Sequence, residues 1–297
     1  MDKVDYASDT TSEVPGAALS AARYYLAAAS SPSAGYFGGG YAPGAPSVGS
    51  TMDKLTYSSD TTAELPGAAL TSSRYHLAAA GTSTAGYFGG GYVSGASVVA
   101  TMDKCTYSTE TTAAVPGANL SVARYYLGAT GNQTDGYFAG GSGGGTHTII
   151  DKLTYSSDTT ALLPGVPLSS VRVHVGGTGN STDGYFGGGV AFPNYFTTVD
   201  KLTYSSDTLA EIPGAALSQP RTQWGSTSSQ TAGYFGGGNT PSACSTMDKL
   251  TYSTDTTAAV PGADLSTGVY GNSGATSPLA NALPGSAQVM GQAPVIV

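Results

Sequence analysis

A short segment, Met-Asp-Lys-(Leu/Val/Cys)-(Thr/Asp)-Tyr with small variations, returns six times along this chain of 297 residues. Its aspartates stand at Asp2, Asp53, Asp103, Asp151, Asp200 and Asp248. A period of about 50 residues marks one supersecondary unit repeated into an array, solenoid or propeller. Six equal units sharing one pattern argue for a single assembly over residues 1–297 rather than two unrelated domains.

Charge is scarce and regularly placed. Only 10% of residues are charged and the formal net charge is −8, where average usage is roughly 25%. Six lysines (Lys3, Lys54, Lys104, Lys152, Lys201 and Lys249) follow the repeat aspartates directly, and five arginines (Arg23, Arg74, Arg124, Arg172 and Arg221) stand 21 residues after them. No Lys or Arg is left to build a basic stripe, which argues against nucleic-acid binding and against a polybasic membrane anchor. No apolar run approaches the roughly 20 residues of a spanning helix. Met1 runs straight into repeat register without the pattern of a signal peptide. Tyr and Phe hold fixed places in the period, so the chain reads as folded.

The stretch from Arg74 to Gly117 shows the unit. Arg74 to Ala80 is a short apolar run, closed by a polar turn through Ala85, and Gly86 to Gly91 follows. Then come a loop of variable sequence, a third run from Val98 to Ser108, a turn, and a fourth run from Thr112 to Val115 that stops at Pro116-Gly117. Four short runs bounded by turn residues read as four strands. Gly and Pro are too frequent for long helices. The small residues of the first run (Ala78-Ala79-Ala80, Gly176-Gly177-Thr178) suit strands converging on an axis, which makes this strand the innermost.

Strand alternation places Asp53, Leu55 and Tyr57 on one side of the third run. A carboxylate facing an apolar packing surface requires a partner, and Arg74 is the candidate by its constant spacing. The expectation is an Asp–Arg or Arg–backbone clamp in each repeat, made by Asp53 and Arg74, Asp103 and Arg124, Asp151 and Arg172, Asp200 and Arg221. Trp224, the single tryptophan, aligns with Leu26, Leu77, Leu127 and Val175 and reads as core. Cys105 aligns with Leu55 and reads the same way, while Cys244 reads as a free thiol in a variable loop. Asn132, Asn180, Asp158, Asp207 and Asp255 read as turn residues.

A double glycine ending an apolar strand, a later strand with Tyr, a Leu-Pro exit and an Arg opening the next unit together resemble the kelch repeat. The matching pieces are Tyr36-Phe37-Gly38-Gly39 and its copies at 87–90, 185–188 and 234–237, then Tyr57, Leu65-Pro66-Gly67 and Arg74; the third copy reads Tyr137-Phe138-Ala139-Gly140. The tryptophan usual in that pattern is replaced by Ala or Leu. The resemblance covers nearly all of residues 1–270 and implies a β-propeller with one four-stranded blade per repeat. The wording of the repeats also resembles kelch-like arrays in structural proteins of marine phages, especially cyanophages. Five complete blades lie between the ends, so the expected fold is an all-β, six-bladed kelch-like propeller whose first blade is closed by both termini. The degenerate segment 271–297, with strands near Val269–Ala275 and Ala287–Gly291, would supply the inner half of that blade. The other reading is part of a longer repeat protein with 271–297 packed elsewhere.

The units differ most between their second and third strands, at residues 41–51, 92–100, 142–149, 190–198 and 239–246. These loops offer Tyr41, Tyr92, His147, Phe192, Asn194, Tyr195 and Phe196 as candidate binding residues, a mix of rigid aromatics and small polar groups suited to recognition, including stacking on sugar rings. His76 and His174, two residues after repeat arginines, fall in non-neighbouring blades, so no shared metal site and no cofactor is expected. No catalytic motif appears. The expected function is a non-enzymatic structural or binding module. Resemblance points to a virion or extracellular tail-fibre or appendage protein. Its partners would be other virion proteins and a host-surface glycan or protein, with homo-oligomerisation left open and no membrane insertion. A cytoplasmic kelch-type protein–protein scaffold is the alternative, and an extracellular carbohydrate-active or oxidase enzyme ranks last.

Overall fold

The computed structural model describes residues 1–42, 47–95, 97–240, 242–271, 273–274 and 288–291. Among them no α-helix occurs, and six four-stranded antiparallel sheets carry the repeat. In the reference unit the strands Ala78–Gly81, Ala85–Gly89, Met102–Thr106 and Thr111–Ala114 lie side by side in chain order. Register sets Tyr87 against Lys104 and Phe88 against Asp103. The first turn closes on a side-chain acceptor: Thr82 Oγ1 takes the N–H groups of Thr84 and Ala85. Asn132 and Asn180 do the same in later units, as turn residues.

The run from Arg74 to Ala80 is not one strand. Arg74–Tyr75 pairs with Tyr92–Val93, which pairs in turn with Ser97–Val98. His76 then adopts φ 56° and ends the extended stretch, because a left-handed residue turns the chain away from its strand direction. Ser97–Val98 likewise belongs to this small hairpin and not to the third strand.

The glycine pair after the second strand has a geometric reason. Gly90 sits at φ +68°, and a Cβ there would lie 2.5 Å from the Arg124 carbonyl oxygen of the next unit. Gly91 then donates its N–H to that same oxygen at 2.8 Å. In the third unit Ala139 replaces the first glycine, which is still in the strand, while Gly140 and Gly141 keep the positive φ.

The second strands are buried on both faces while the fourth strands are largely exposed, so the cores lie between consecutive units around the inner strands. Tyr36 and Met52 pack with Leu77, Phe88 and Cys105 of the next unit; Tyr87 and Met102 pack with Leu127, Phe138 and Leu153. Tyrosines stack across these seams, with Tyr137 and Tyr204 at 5.1 Å and Tyr185 and Tyr252 at 5.0 Å. Trp224 and Cys105 are buried core residues, and both cysteines are free thiols.

The innermost strands touch in series: Ala27–Ser30, Ala78–Gly81, Gly128–Gly131, Gly176–Gly179 and Gly225–Ser228. Close approach demands small residues, since a Cβ on Gly177 would lie 2.0 Å from the Ala129 oxygen. At the N-terminus Asp2–Asp5 pairs with Thr10–Glu13 on one side and Gln288–Gly291 on the other, and Gln288–Gly291 pairs with Ser273–Gly274. Ser273–Gly274 contacts both Gly225–Ser228 and Ala27–Ser30. The rest of the expected closing segment lies outside the described residues. These radiating four-stranded sheets are consistent with a β-propeller.

Candidate functional site

The clamp arginines are structural, and their partners differ from the expected ones. Arg74 reaches Asp103, at 2.9 Å, and not Asp53, which takes Arg23 at 2.7 Å. Arg124 pairs with Asp151, Arg172 with Asp200 and Arg221 with Asp248. The reason is topological. The strand that carries Asp103 belongs to the four-stranded sheet that begins just after Arg74, at Ala78, whereas Asp53 lies in the sheet before; Arg74 itself pairs in the small adjoining hairpin and reaches across to Asp103. Arg74 also donates to the carbonyls of Phe88 and Thr101, and Asp103 accepts from the Thr71 N–H and hydroxyl. Burial pulls the Arg74 guanidinium below its ordinary value, against the opposing pull of Asp103.

The lysines form a second set of contacts, each between units. Lys104 pairs with Asp158, Lys152 with Asp207 and Lys201 with Asp255, while Lys3 takes Asp60, Lys54 takes Glu110 and Lys249 takes Asp9. The acceptors are the left-handed turn residues, at φ near 50°. Their role is therefore larger than turn formation: Asp158, Asp207, Asp255 and Asp9 also accept a tyrosine hydroxyl, from Tyr87, Tyr137, Tyr185 and Tyr234. All eleven Lys and Arg side chains of the chain are thus held by carboxylates.

A different kind of surface surrounds the end of the innermost strands that follows the arginines. Two residues after each arginine, Tyr25, His76, Tyr126, His174 and Gln223 all adopt φ between 56° and 62°, and Gly271 has φ 68°. Their backbones join in series: His76 N–H donates to Tyr25, Tyr126 to His76, His174 to Tyr126, Gly271 to Gln223 and Tyr25 to Gly271. They line the mouth of a central cavity of ≈ 130 Å³ walled by the small residues of the innermost strands.

The two histidines, two repeats apart in the sequence, come close together here. His76 and His174 lie 5.7 Å apart, with the Tyr126 ring 3.9 Å from one and 3.7 Å from the other. Residues distant in sequence meet here because the innermost strands of successive units lie against one another. Burial pulls the His174 imidazole down to about 3, and burial with the neighbouring His174 pulls His76 well below its usual value. Both are neutral near neutral pH. Burial pushes the Tyr126 hydroxyl up to about 12. Among the described residues no group of three or more His, Cys, Asp or Glu could hold a metal ion.

Outside this inner tier lies a column of bridged residue pairs, one to each of five units: Tyr24–Tyr41, Tyr75–Tyr92, Tyr125–Ser142, Val173–Val190 and Thr222–Asn239. In the first three units the aromatic rings run on continuously. Tyr24 to Tyr41 is 5.3 Å between centroids, Tyr41 to Tyr75 5.6 Å, Tyr75 to Tyr92 5.5 Å and Tyr92 to Tyr125 5.4 Å. These five rings are half-buried, so each keeps an edge or face at the surface.

The candidate loop residues therefore divide. Tyr41 and Tyr92 join this arc. Phe192, Asn194 and Tyr195 lie exposed on a separate hairpin, with Phe192 74% accessible and 6.4 Å from Tyr195, and Phe196 is half-buried beside it. His147 donates from Nε2 to the Gly143 carbonyl, inside its own loop. Sequence reasoning missed Tyr24, Tyr25, Tyr75, Tyr125, Tyr126 and Gln223 as surface residues. Their signal was the changing residue types just after each arginine. Compared with protein-family models the chain matches none, and no curated protein is found as a relative.

Proposed function

We propose that this chain is a closed, six-bladed kelch-like propeller serving as a non-enzymatic recognition module, a tail-fibre or appendage component that attaches a virus particle to its host surface. Closure is supported by contacts that join the last repeat to the first segment: Lys249 to Asp9, Tyr234 to Asp9, Thr11 to the Ala263 carbonyl, and the packing of Val4 with Met247 and Val269. The strands Ser273–Gly274 and Gln288–Gly291 would complete the first blade.

One observation carries the recognition reading. Clamps, lysine pairs and seams recur from unit to unit, whereas the column around the cavity mouth changes from tyrosine to valine to small polar residues. A purely structural ring needs no such asymmetry. Half-exposed tyrosines offer contact area at low cost in side-chain entropy. The virion assignment rests on the resemblance of the repeats.

Two measurements test it. Peptide mass spectrometry of sedimented virus particles should recover the chain at constant stoichiometry. The purified chain should also compete with particles for adsorption, and its Tyr75→Ala variant should compete much less. Recovery in the soluble cell fraction alone would overturn the virion assignment and favour an intracellular scaffold.

A further inference from the structure

The tyrosine arc differs from the rest of the surface in two ways that together name a ligand class. Its five rings, Tyr24, Tyr41, Tyr75, Tyr92 and Tyr125, form a continuous run with steps of 5.3–5.6 Å, each tilted or edge-on to the next by 48–64°, so that the run offers a series of separate ring faces and edges as its platform. Each presents an apolar body with a hydroxyl that donates and accepts. The second property is charge. Every Lys and Arg is already held by a carboxylate, the five arginines within buried pairs and the six lysines between units. A ligand bearing phosphate, sulfate or carboxylate would find no cation to receive it, in a chain whose net charge is −8. Recognition of such anions normally relies on Arg or Lys.

The inner tier points the same way. Its two imidazoles are neutral near neutral pH, and the Tyr25 hydroxyl is turned to Gln223 Oε1 at 3.3 Å.

Resting on the recognition reading above, we infer that the arc binds an uncharged saccharide chain, its sugar rings stacked on Tyr75 and Tyr92 at the centre of the platform. Aromatic side chains at the centre of a contact dominate binding energy. Binding of a neutral ligand also releases few counter-ions, so its affinity should barely change with salt.

Native gel electrophoresis of the purified chain through soluble polysaccharides tests this. The probes are neutral galactomannan, xyloglucan and mixed-linkage glucan, with anionic alginate and heparin beside them. At least one neutral polymer should retard the chain equally at low and high salt. Tyr75→Ala and Tyr92→Ala should each weaken that retardation about tenfold or more. Tyr75→Phe, which keeps the ring, and Phe192→Ala, on the separate hairpin, should retain it. Retardation by the anionic polymers alone, by none of the polymers, or by neutral polymers with no loss in the tyrosine variants would each overturn the proposal. Adsorption competition separates this from failure of the recognition reading. If competition survives periodate oxidation of the cell-surface sugars yet is lost in Tyr75→Ala, the arc recognises a protein, and only the saccharide assignment falls.

Discussion

Lys249 donates to both carboxylate oxygens of Asp9, at 2.8 and 2.6 Å, across a separation of 240 residues. Asp9 also accepts the Tyr234 hydroxyl at 2.6 Å. The same three-residue arrangement occurs inside the chain, where Lys104 and Tyr87 meet Asp158. The junction between the last repeat and the N-terminal segment is thus built like an ordinary seam.

That equivalence is measurable. The pairs are about one-third exposed and individually weak. Removing a carboxylate that serves two donors should lower stability by about 1 kcal/mol. Asp9→Ala and Asp158→Ala should therefore shift the urea midpoint by similar amounts. A shift for Asp158→Ala with none for Asp9→Ala would mean that the junction does not form in solution.

The buried clamps should be far more sensitive. Arg74→Ala leaves Asp103 inaccessible to solvent and without its cation, a change that costs about 3–5 kcal/mol. Arg74→Lys should rescue little, because one ammonium cannot replace a guanidinium donating to Phe88, Thr101 and Asp103 together. Chemical denaturation of both variants distinguishes this from a site where charge alone matters, which lysine would restore.

Trp224 occupies a position that is Leu or Val in the other copies, and two glycines make room for it. A Cβ on Gly176 would lie 2.1 Å from Trp224 Nε1, and one on Gly188 would lie 2.0 Å from Cη2. Gly176→Ala should destabilise by roughly 1–3 kcal/mol through overpacking. Trp224→Leu in the same chain should recover part of that loss. Strictly additive effects in the double mutant would deny the coupling.

Acid should weaken the cavity mouth before it breaks the ion pairs. Burial holds the folded-state pKa of His174 near 3, against an ordinary value of 6.5, and lowers that of His76 too. Below pH about 6.5 the unfolded chain binds protons that the folded chain refuses, so stability falls as pH drops toward 3. His174→Gln, which installs the residue found in the equivalent place at Gln223, should flatten that decline. Stability curves at several pH values report the slope, and an unchanged slope would show that His174 is solvated in the folded protein. Asp158 acts at still lower pH. Its burial raises the pKa, but Lys104 and Tyr87 outweigh this and lower it, so its contribution is present above about pH 4 and fades below.

Period, strand number, the innermost position of the small-residue strand, and the core roles of Trp224 and Cys105 were legible before any coordinates. Each follows from local rules: turn residues bound strands, small side chains mark close approach, and aligned copies share an environment. The pairing of Arg74 was not legible in the same way. Spacing even favours the wrong partner, since each arginine follows one aspartate by 21 residues in all five copies but precedes the next by 27 to 30, and alternation along one strand does not say which neighbouring unit supplies the partner. Three-dimensional hydrogen bonding chose Asp103.

The contact between His76 and His174 shows the same limit. Repeats measure distance along the chain, where these residues are two periods apart, whereas the innermost strands of successive units lie against one another and bring the rings close. The tyrosine arc, too, exists only because the second-to-third-strand loops fold back onto the residues after each arginine. Local chemistry encoded in a repeat specifies the unit and its strands; the packing of the units against one another specifies which side chains become neighbours, because that distance is set by packing and not by sequence separation.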